Sequence, residues 1–266
     1  MIKEMFAKYY QQVGVSVQRY FVPSESFTES AVIISGDDFH HIVRVMRMGI
    51  GDKVIVVQPG GQAAVAEIKT ITDDTVMADV VEWTKEEKEL PVRLSIASGL
   101  PKGDKLEYIV QKGTELGAFS FFPFQAARSV VKWDEKKAGK KTERLQKIAK
   151  EAAEQSHRTV VPVVNEPVTL SGLIERAQEY DYKLIAFEES AKQGETAKLA
   201  STLKVIKPGQ SILFVFGPEG GITEKELDKL VEAGFIACGL GPRILRTETA
   251  PLYALAAVSY HLELLG

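Results

Sequence analysis

Cysteine is almost missing from this 266-residue chain, which has a single one at position 238. A lone thiol excludes an intramolecular disulfide framework and a cysteine-rich metal site, which fits a reducing compartment. Cys238 ends the apolar run Phe235-Ile236-Ala237-Cys238 and reads as a buried strand residue. No stretch approaches the roughly 18 to 20 consecutive apolar residues of a membrane span. The start, with Lys3 and Glu4 followed by Tyr9, Tyr10, Gln11 and Gln12, lacks the apolar core of a secretion signal. These absences point to a cytoplasmic protein without a membrane partner. Histidine is scarce, and His40 and His41 are neighbours. Adjacent side chains diverge on a helix and no cysteine or carboxylate stands at ligand spacing, so no metal is expected. Nucleotide fingerprints are lacking as well: there is no Gly-x4-Gly-Lys-Ser/Thr frame and no Gly-x-Gly-x-x-Gly opening a helix.

An excess of positive charge is also absent, since the formal net charge is −3. The sum hides a local bias, because ten basic residues stand against five acidic ones between Arg128 and Arg158. Such a run is usually a solvated helix face; its other meaning is a surface that neutralises phosphates. What the chain does have, 45% hydrophobic and 26% charged residues, suits one large soluble domain or two modest ones.

From Arg19 to about Glu82 the apolar runs are short and broken by turns such as Pro59-Gly60-Gly61 and Thr72-Asp73-Asp74, as in a small barrel. Strands are expected at Arg19–Val22, Ala31–Ile34, Lys53–Val57, Ala63–Ile71 and Thr75–Val81. One helix interrupts them, with Ser35 as its cap and Phe39, Ile42, Val43 and Met46 as its inner stripe. Trp83 to Pro91 is charged and ends in proline, the composition of a linker, which sets a domain boundary near Glu89. Beyond it strands alternate with helices: strands at Val92–Ser98, Phe119–Pro123, Lys183–Phe187, Ser211–Phe216 and Phe235–Cys238, and helices from Leu106 to Gly117, Thr142 to Gln155, Leu170 to Tyr180 and Glu248 to Leu264. That alternation argues for an α/β domain with a parallel sheet covered on both faces.

Two turns of the second domain stand out, Gly217-Pro218-Glu219-Gly220-Gly221 and Leu240-Gly241-Pro242-Arg243-Ile244-Leu245-Arg246-Thr247-Glu248-Thr249-Ala250. Each follows an apolar strand, and between them Thr223 and Glu226 have the spacing of a capping box. Ligands settle at the carboxyl ends of strands in open α/β sheets, so both turns are expected to face one pocket. Glycine there lets the backbone take φ > 0 or approach a ligand closely. Taken singly, either turn is an ordinary strand-to-helix connection.

These two segments, together with Lys112-Gly113-Thr114-Glu115-Leu116-Gly117, Glu154-Gln155-Ser156-His157-Arg158 and Gln18-Arg19-Tyr20-Phe21, resemble the RsmE-type 16S ribosomal RNA uridine N3-methyltransferases of the SPOUT superfamily. The resemblance runs from about residue 17 almost to the end. It implies a PUA-like RNA-gripping β-barrel at 17–89, then a knotted SPOUT methyltransferase domain at 90–266 that binds S-adenosylmethionine, commonly as a homodimer. Residues 1 to 16 lie outside it and read as an extension, either a start-site artefact ahead of Val17 or a short helix through Met5, Phe6, Tyr9 and Tyr10. Two departures are visible: Ala126-Ala127-Arg128 stands where many relatives have Ser-Glu-Arg, and Ser156-His157 replaces a commoner cysteine and glycine.

The cofactor site implied comprises Phe187 and Glu188, Gly217, Pro218, Glu219, Gly220 and Gly221, and Leu240, Gly241, Arg243, Ile244, Leu245, Arg246 and Thr249. Leu240, Ile244 and Leu245 would flank the adenine. Uridine N3 lies on the pairing edge, so the base must be unpaired or extruded. Arg246 is the first catalytic candidate, because a guanidinium can hold a uracil carbonyl and stabilise the developing anion; Glu248 or Glu219 would orient it or accept the proton. Helix N-terminal placement explains both acids equally well. The 16S RNA in the small ribosomal subunit is expected to meet Arg19, His41, Arg44, Arg47, Lys102, Lys105, Arg128 and Arg158. Rival readings are a SPOUT methyltransferase for another RNA position and a catalytically silent RNA-binding protein.

Overall fold

The computed structural model describes residues 17–187 and 197–265. The expected helix within 1–16, and Glu188, lie outside them. The chain divides into two compact units between Glu87 and Lys88.

The first unit is a five-stranded sheet in the order β1-β3-β4-β5-β2, formed by β1 (Arg19–Phe21), β2 (Ala31–Ser35), β3 (Lys53–Val57), β4 (Ala63–Ile71) and β5 (Thr75–Thr84). β1 joins β3 in parallel, and the remaining pairs are antiparallel. Register shifts at Val65/Ala66 and Ile68/Thr70 mark irregularities between β4 and β5, and bulges of this kind bend a strand and curl a sheet. Val54, Val56, Ala64, Ala66, Val76 and Ala78 alternate onto the inner face, where they meet Tyr20, Val32 and Ile34. Ile42 closes that core from the helix α1 (Gly36–His40), which widens into a π turn over His41–Val45. The expected Ser35 cap is not formed by its side chain, and Met46 is exposed instead of inward, because the wider turn rotates it off the buried stripe.

The second unit is an all-parallel sheet in the order β12-β10-β11-β6-β7-β8, with β9 also on β7. Its strands are β6 (Arg93–Gly99), β7 (Ser120–Gln125), β8 (Val163–Val164), β9 (Val168–Thr169), β10 (Tyr182–Ala186), β11 (Ser211–Phe216) and β12 (Ile236–Cys238). β11 is buried at every residue, as a central parallel strand covered on both faces must be. On one face α2 (Lys105–Glu115), α3 (Glu135–Gln155), α5 (Ala197–Val205) and α7 (Thr249–Ser259) pack over Leu94, Ile96, Leu184, Phe214 and Phe216. On the other, α4 (Leu170–Arg176) and α6 (Glu224–Glu232) cover Ala97, Phe124, Ile185, Leu213 and Val215. β8, β9 and α5 add to the expected elements; two-residue strands give no periodicity to read. α3 starts earlier than its apolar stripe, because the Asp134 carboxylate accepts the Lys137 N–H at 2.8 Å and caps the charged start of the helix. The knot implied by the resemblance concerns how the chain threads, and residues 188–196 lie outside the described residues.

Two of the motifs that carry the resemblance meet in the interior of this unit. Arg158 is only 3% exposed; its guanidinium donates to the Thr114 and Ala118 carbonyls at 3.1 and 2.7 Å and forks onto the Glu89 carboxylate. The other Glu89 oxygen accepts the Thr159 and Val160 N–H groups at 2.9 and 3.1 Å. The RNA-binding expectation for Arg158 is therefore corrected: its donors are used inside the chain. His157, just before it, takes φ = 56°, and Arg158 N–H closes on the Ala153 carbonyl, the left-handed ending of α3 that glycine usually supplies.

Burial opposes ionisation of Glu89, but Arg158 and the two backbone N–H groups outweigh it and hold the carboxyl below its ordinary value of 4.5. A lowered carboxylate stabilises the fold above the unfolded value and loses that contribution as pH falls through the folded one. Glu89→Gln should cost about 2 kcal/mol at pH 7, measured by urea unfolding. The gap from wild type should close as the pH falls below about 4.5.

Candidate active site

The carboxyl ends of β6, β10, β11 and β12 lie side by side, and the turns that leave three of these strands enclose a cleft of about 400 Å³. After β10 comes Phe187, whose N–H donates to the Cys238 carbonyl at 3.1 Å and so fixes the start of this turn against β12. After β11 come Gly217 to Gly221, and after β12 come Leu240, Gly241, Arg243, Ile244 and Leu245, all of which line the cleft. The structure thus brings together most of the expected cofactor set. Arg246 and Thr249 are not on the wall; their neighbours Thr247 and Ala250 are. Ala186 and Phe216 also line it, and both are the last residues of their strands, one step upstream of the turns that marked the site in sequence. Ile222, Glu224 and Arg128 complete the wall.

The glycines serve geometry within the turn. A Cβ on Gly217 would stand 3.0 to 3.1 Å from the backbone of Gly221 and Ile222. One on Gly220 would stand 2.8 Å from Arg128 Cβ, and Arg128 in turn donates to the Gly220 carbonyl at 3.1 Å. Gly221 has φ = 72°, where only glycine is unstrained. Glu226 fastens the same region: one oxygen accepts the Ala127 N–H at 2.7 Å, while the other completes a capping box with Thr223. A residue recognised in sequence as a helix cap therefore also pins the loop that carries Arg128.

Charge beside the cleft is arranged differently from expectation. Glu219 and Glu248 do not meet Arg246. Lys105 Nζ lies 2.9 Å from Glu219 and 3.3 Å from Glu248, and the Lys102 N–H reaches Glu219 at 3.2 Å. The Glu219 hydrogen bond raises the Lys105 pKa, so the ammonium stays charged. For Glu219, burial pushes the carboxyl up, but Lys105 and backbone N–H groups prevail and hold it below the usual range. A carboxylate held that way is a weak proton acceptor. Arg246 is exposed, and no hydrogen bond or ion pair of its side chain occurs among the described residues.

The remaining expected RNA contacts fall into two groups. Arg44, Arg47, Lys102 and Arg128 are exposed, and Arg47 is held at φ = 54°. Arg19 is corrected: it is 3% exposed and paired with Glu86 at 2.6 Å inside the first unit. His41 shares a 2.9 Å hydrogen bond with Tyr20 Oη. Burial pushes the Cys238 thiol up to about 12, which leaves it inert. Among the described residues no group of three or more His, Cys, Asp or Glu is placed to hold a metal ion, and no helix is long and apolar enough to cross a membrane.

Residues 88–259 match the RNA methyltransferase domain family, and residues 34–81 match the RNA methyltransferase PUA domain family. The fold and cleft define an RNA methyltransferase with a SPOUT-type parallel sheet and a PUA-like curled sheet. The chain is 54% identical over 252 residues to ribosomal RNA small subunit methyltransferase E of Bacillus subtilis, covering 94% of this chain and 98% of that one. It is 33% identical to the protein of the same name from Synechocystis, covering 94% and 79% of the two chains. A crystal structure of that enzyme from Neisseria gonorrhoeae, bound to S-adenosyl methionine, superimposes with a TM-score of 0.80 at 30% identity, covering 91% and 97% of the chains. The chain belongs to the RsmE family of small-subunit ribosomal RNA methyltransferases.

At the root of the cleft, a Cβ on Gly99 would fall 2.5 Å from Pro218 Cδ and 2.8 Å from its nitrogen. Gly99→Ala should displace the Gly217–Gly221 turn, at a cost of about 1 to 3 kcal/mol. Calorimetry should show cofactor affinity falling at least tenfold, alongside a lower unfolding midpoint in urea.

Proposed function

We propose that this chain transfers the methyl group of S-adenosylmethionine to N3 of a uridine in 16S ribosomal RNA. The observation that carries the reading is the cleft itself. Three strand-end turns converge on a volume suited to a small cofactor, and Ile244, 76% exposed, presents a large apolar side chain within it. Bare apolar surface of this kind at a concave site marks a ligand contact. Leu240, Ile244 and Leu245 suit an adenine ring, while backbone groups of Phe187 and of 217–221 offer polar partners along the wall. The cofactor, when bound, supplies an electrophilic sulfonium methyl. The chain's part is then to bind and orient, since an in-line approach is most of what such a transfer requires.

Arg246 adjoins the cleft lining, exposed and unengaged among the described residues. That freedom suits a guanidinium that holds a uracil carbonyl and stabilises the charge left when N3 loses its proton. Glu219 is taken up by two donors, Lys105 Nζ and the Lys102 N–H, whereas among the described residues Glu248 has only Lys105 beside it at 3.3 Å, which favours Glu248 as the acid that orients the arginine or accepts the proton. Arg44, Arg47, Lys102 and Arg128 supply exposed positive charge for the RNA backbone. The helix α7 is apolar around its circumference, with Ala254, Leu255 and Val258 buried and Tyr253 exposed, and the π turn Tyr260–Leu264 that continues it exposes Tyr260 and Leu264. A helix of that composition is ordinarily covered on every side, which supports a homodimer joined through α7.

Nucleoside mapping of small-subunit RNA after incubation with enzyme and cofactor tests the reaction; a methyl group on a ribose hydroxyl, or on no nucleotide, would refute it. Arg246→Ala should lower single-turnover methylation by about a hundredfold to a thousandfold, with cofactor affinity nearly unchanged. Near-normal rates would remove Arg246 from the chemistry. Tyr260→Asp should shift sedimentation toward the monomer, whereas an unchanged sedimentation coefficient would place the α7 surface outside the interface.

A further inference from the structure

Lys105 stands between carboxylates from two other chain segments. It lies in the first turn of α2, Glu219 is at the tip of the turn after β11, and Glu248 immediately precedes α7. Both acids lie within 3.3 Å of its one nitrogen. Glu219 is also tied to the Lys102 N–H, so the tip of this turn is held at two points to the start of α2. Its root is held by the close packing of Gly99 on Pro218. Among the described residues the Glu248 side chain has no comparable second tie: it does not cap α7, and its buried Oε2 has the Lys105 charge nearby but no well-formed hydrogen bond.

Two consequences follow from the charges. Without the ammonium, Glu219 and Glu248 would confront each other as like charges beside the cleft. With it, the trio is still net negative, which makes Lys105 a poor landing place for a phosphate. An ion pair this exposed, with Lys105 and Glu219 both 31% accessible, adds little to global stability. Its effect is on where the two segments sit.

We propose that Lys105 is a positioning residue for methyl transfer, latching the Gly217–Gly221 turn to the Arg246–Glu248 segment so that both walls of the cofactor cleft keep their working spacing. The inference rests on the methyltransferase reading above, and it replaces the expectation that Lys105 grips RNA.

Three variants test it: Lys105→Met, Lys105→Arg, and the double variant Lys105→Met with Glu219→Gln. Calorimetric cofactor affinity, single-turnover methylation, RNA affinity against salt, and Tm are measured on each. Lys105→Met should weaken cofactor binding roughly tenfold and slow methylation at least as much, with Tm and the RNA salt slope close to wild type. Lys105→Arg should keep most of the affinity, because the charge remains. The double variant should bind cofactor better than Lys105→Met alone, because removing one carboxylate removes the repulsion, a rescue that lost packing or a lost RNA contact could not produce. Wild-type cofactor affinity in Lys105→Met overturns the latch, as does a double variant no better than the single one. So does an RNA salt slope reduced by about one unit with cofactor binding intact, which would return Lys105 to phosphate contact. If wild type binds cofactor but methylates no RNA, the proposed reaction fails while the affinity measurements still decide the latch.

Discussion

Everything at the candidate site depends on the parallel register that sets β6, β11, β10 and β12 side by side with their carboxyl ends level. Parallel neighbours deliver their following turns to the same edge of the sheet. Residues remote in sequence thereby become the walls of one cleft: Phe187, Gly217 and Leu240 each follow a different strand. The sheet can hold this register because both faces are covered and β11 runs through the middle without an exposed residue. The turns above it need no regular structure of their own. They are held by point contacts, namely Gly99 on Pro218, Arg128 on Gly220, Glu226 on Ala127 and Phe187 on Cys238.

A net acidic chain that works on RNA has to place its cations selectively. Here the arginines and lysines divide between internal and external duty. Arg19 and Arg158 are buried partners of Glu86 and Glu89, and Lys105 is engaged by two glutamates. Removing one member of either arginine pair leaves the other as an uncompensated charge, so Arg19 and Arg158 are fixed by structure more than by substrate. Arg44, Arg47, Lys102 and Arg128 are exposed, and Arg246 has no ionic partner among the described residues. That is the condition under which a cation remains available to phosphate or to a developing negative charge.

The motif at 112–117 and the motif at 154–158 show how a family signature can be structural. Gly113 gives way to the Phe121 ring, where a Cβ would stand 2.8 Å from a ring carbon, and Gly117 gives way to Leu90. Thr114 lends its carbonyl to Arg158. Both motifs record a packing solution in which α2, the end of α3 and Glu89 are fastened together. The last fifty residues, by contrast, carry a signature that belongs to the cleft.

Much of this was legible in the sequence. The strands at Lys53–Val57, Ala63–Ile71 and Ser211–Phe216, the Thr223–Glu226 capping box and the two glycine turns all follow from local chemistry: periodicity, turn residues and cap spacing. Contacts between distant segments did not. No spacing rule separates Arg158, spent on Glu89, from Arg128, which stands at the cleft, since exposure is decided by what folds over each side chain. Nor does spacing reveal that Glu219 and Glu248 share Lys105, more than a hundred positions away. The sequence by itself determined which segments are strands, helices and turns, because those choices rest on neighbours a few residues apart. Only the tertiary structure decided which charges are consumed and which remain available, because burial and pairing depend on the sheet order that brings remote segments within hydrogen-bond reach.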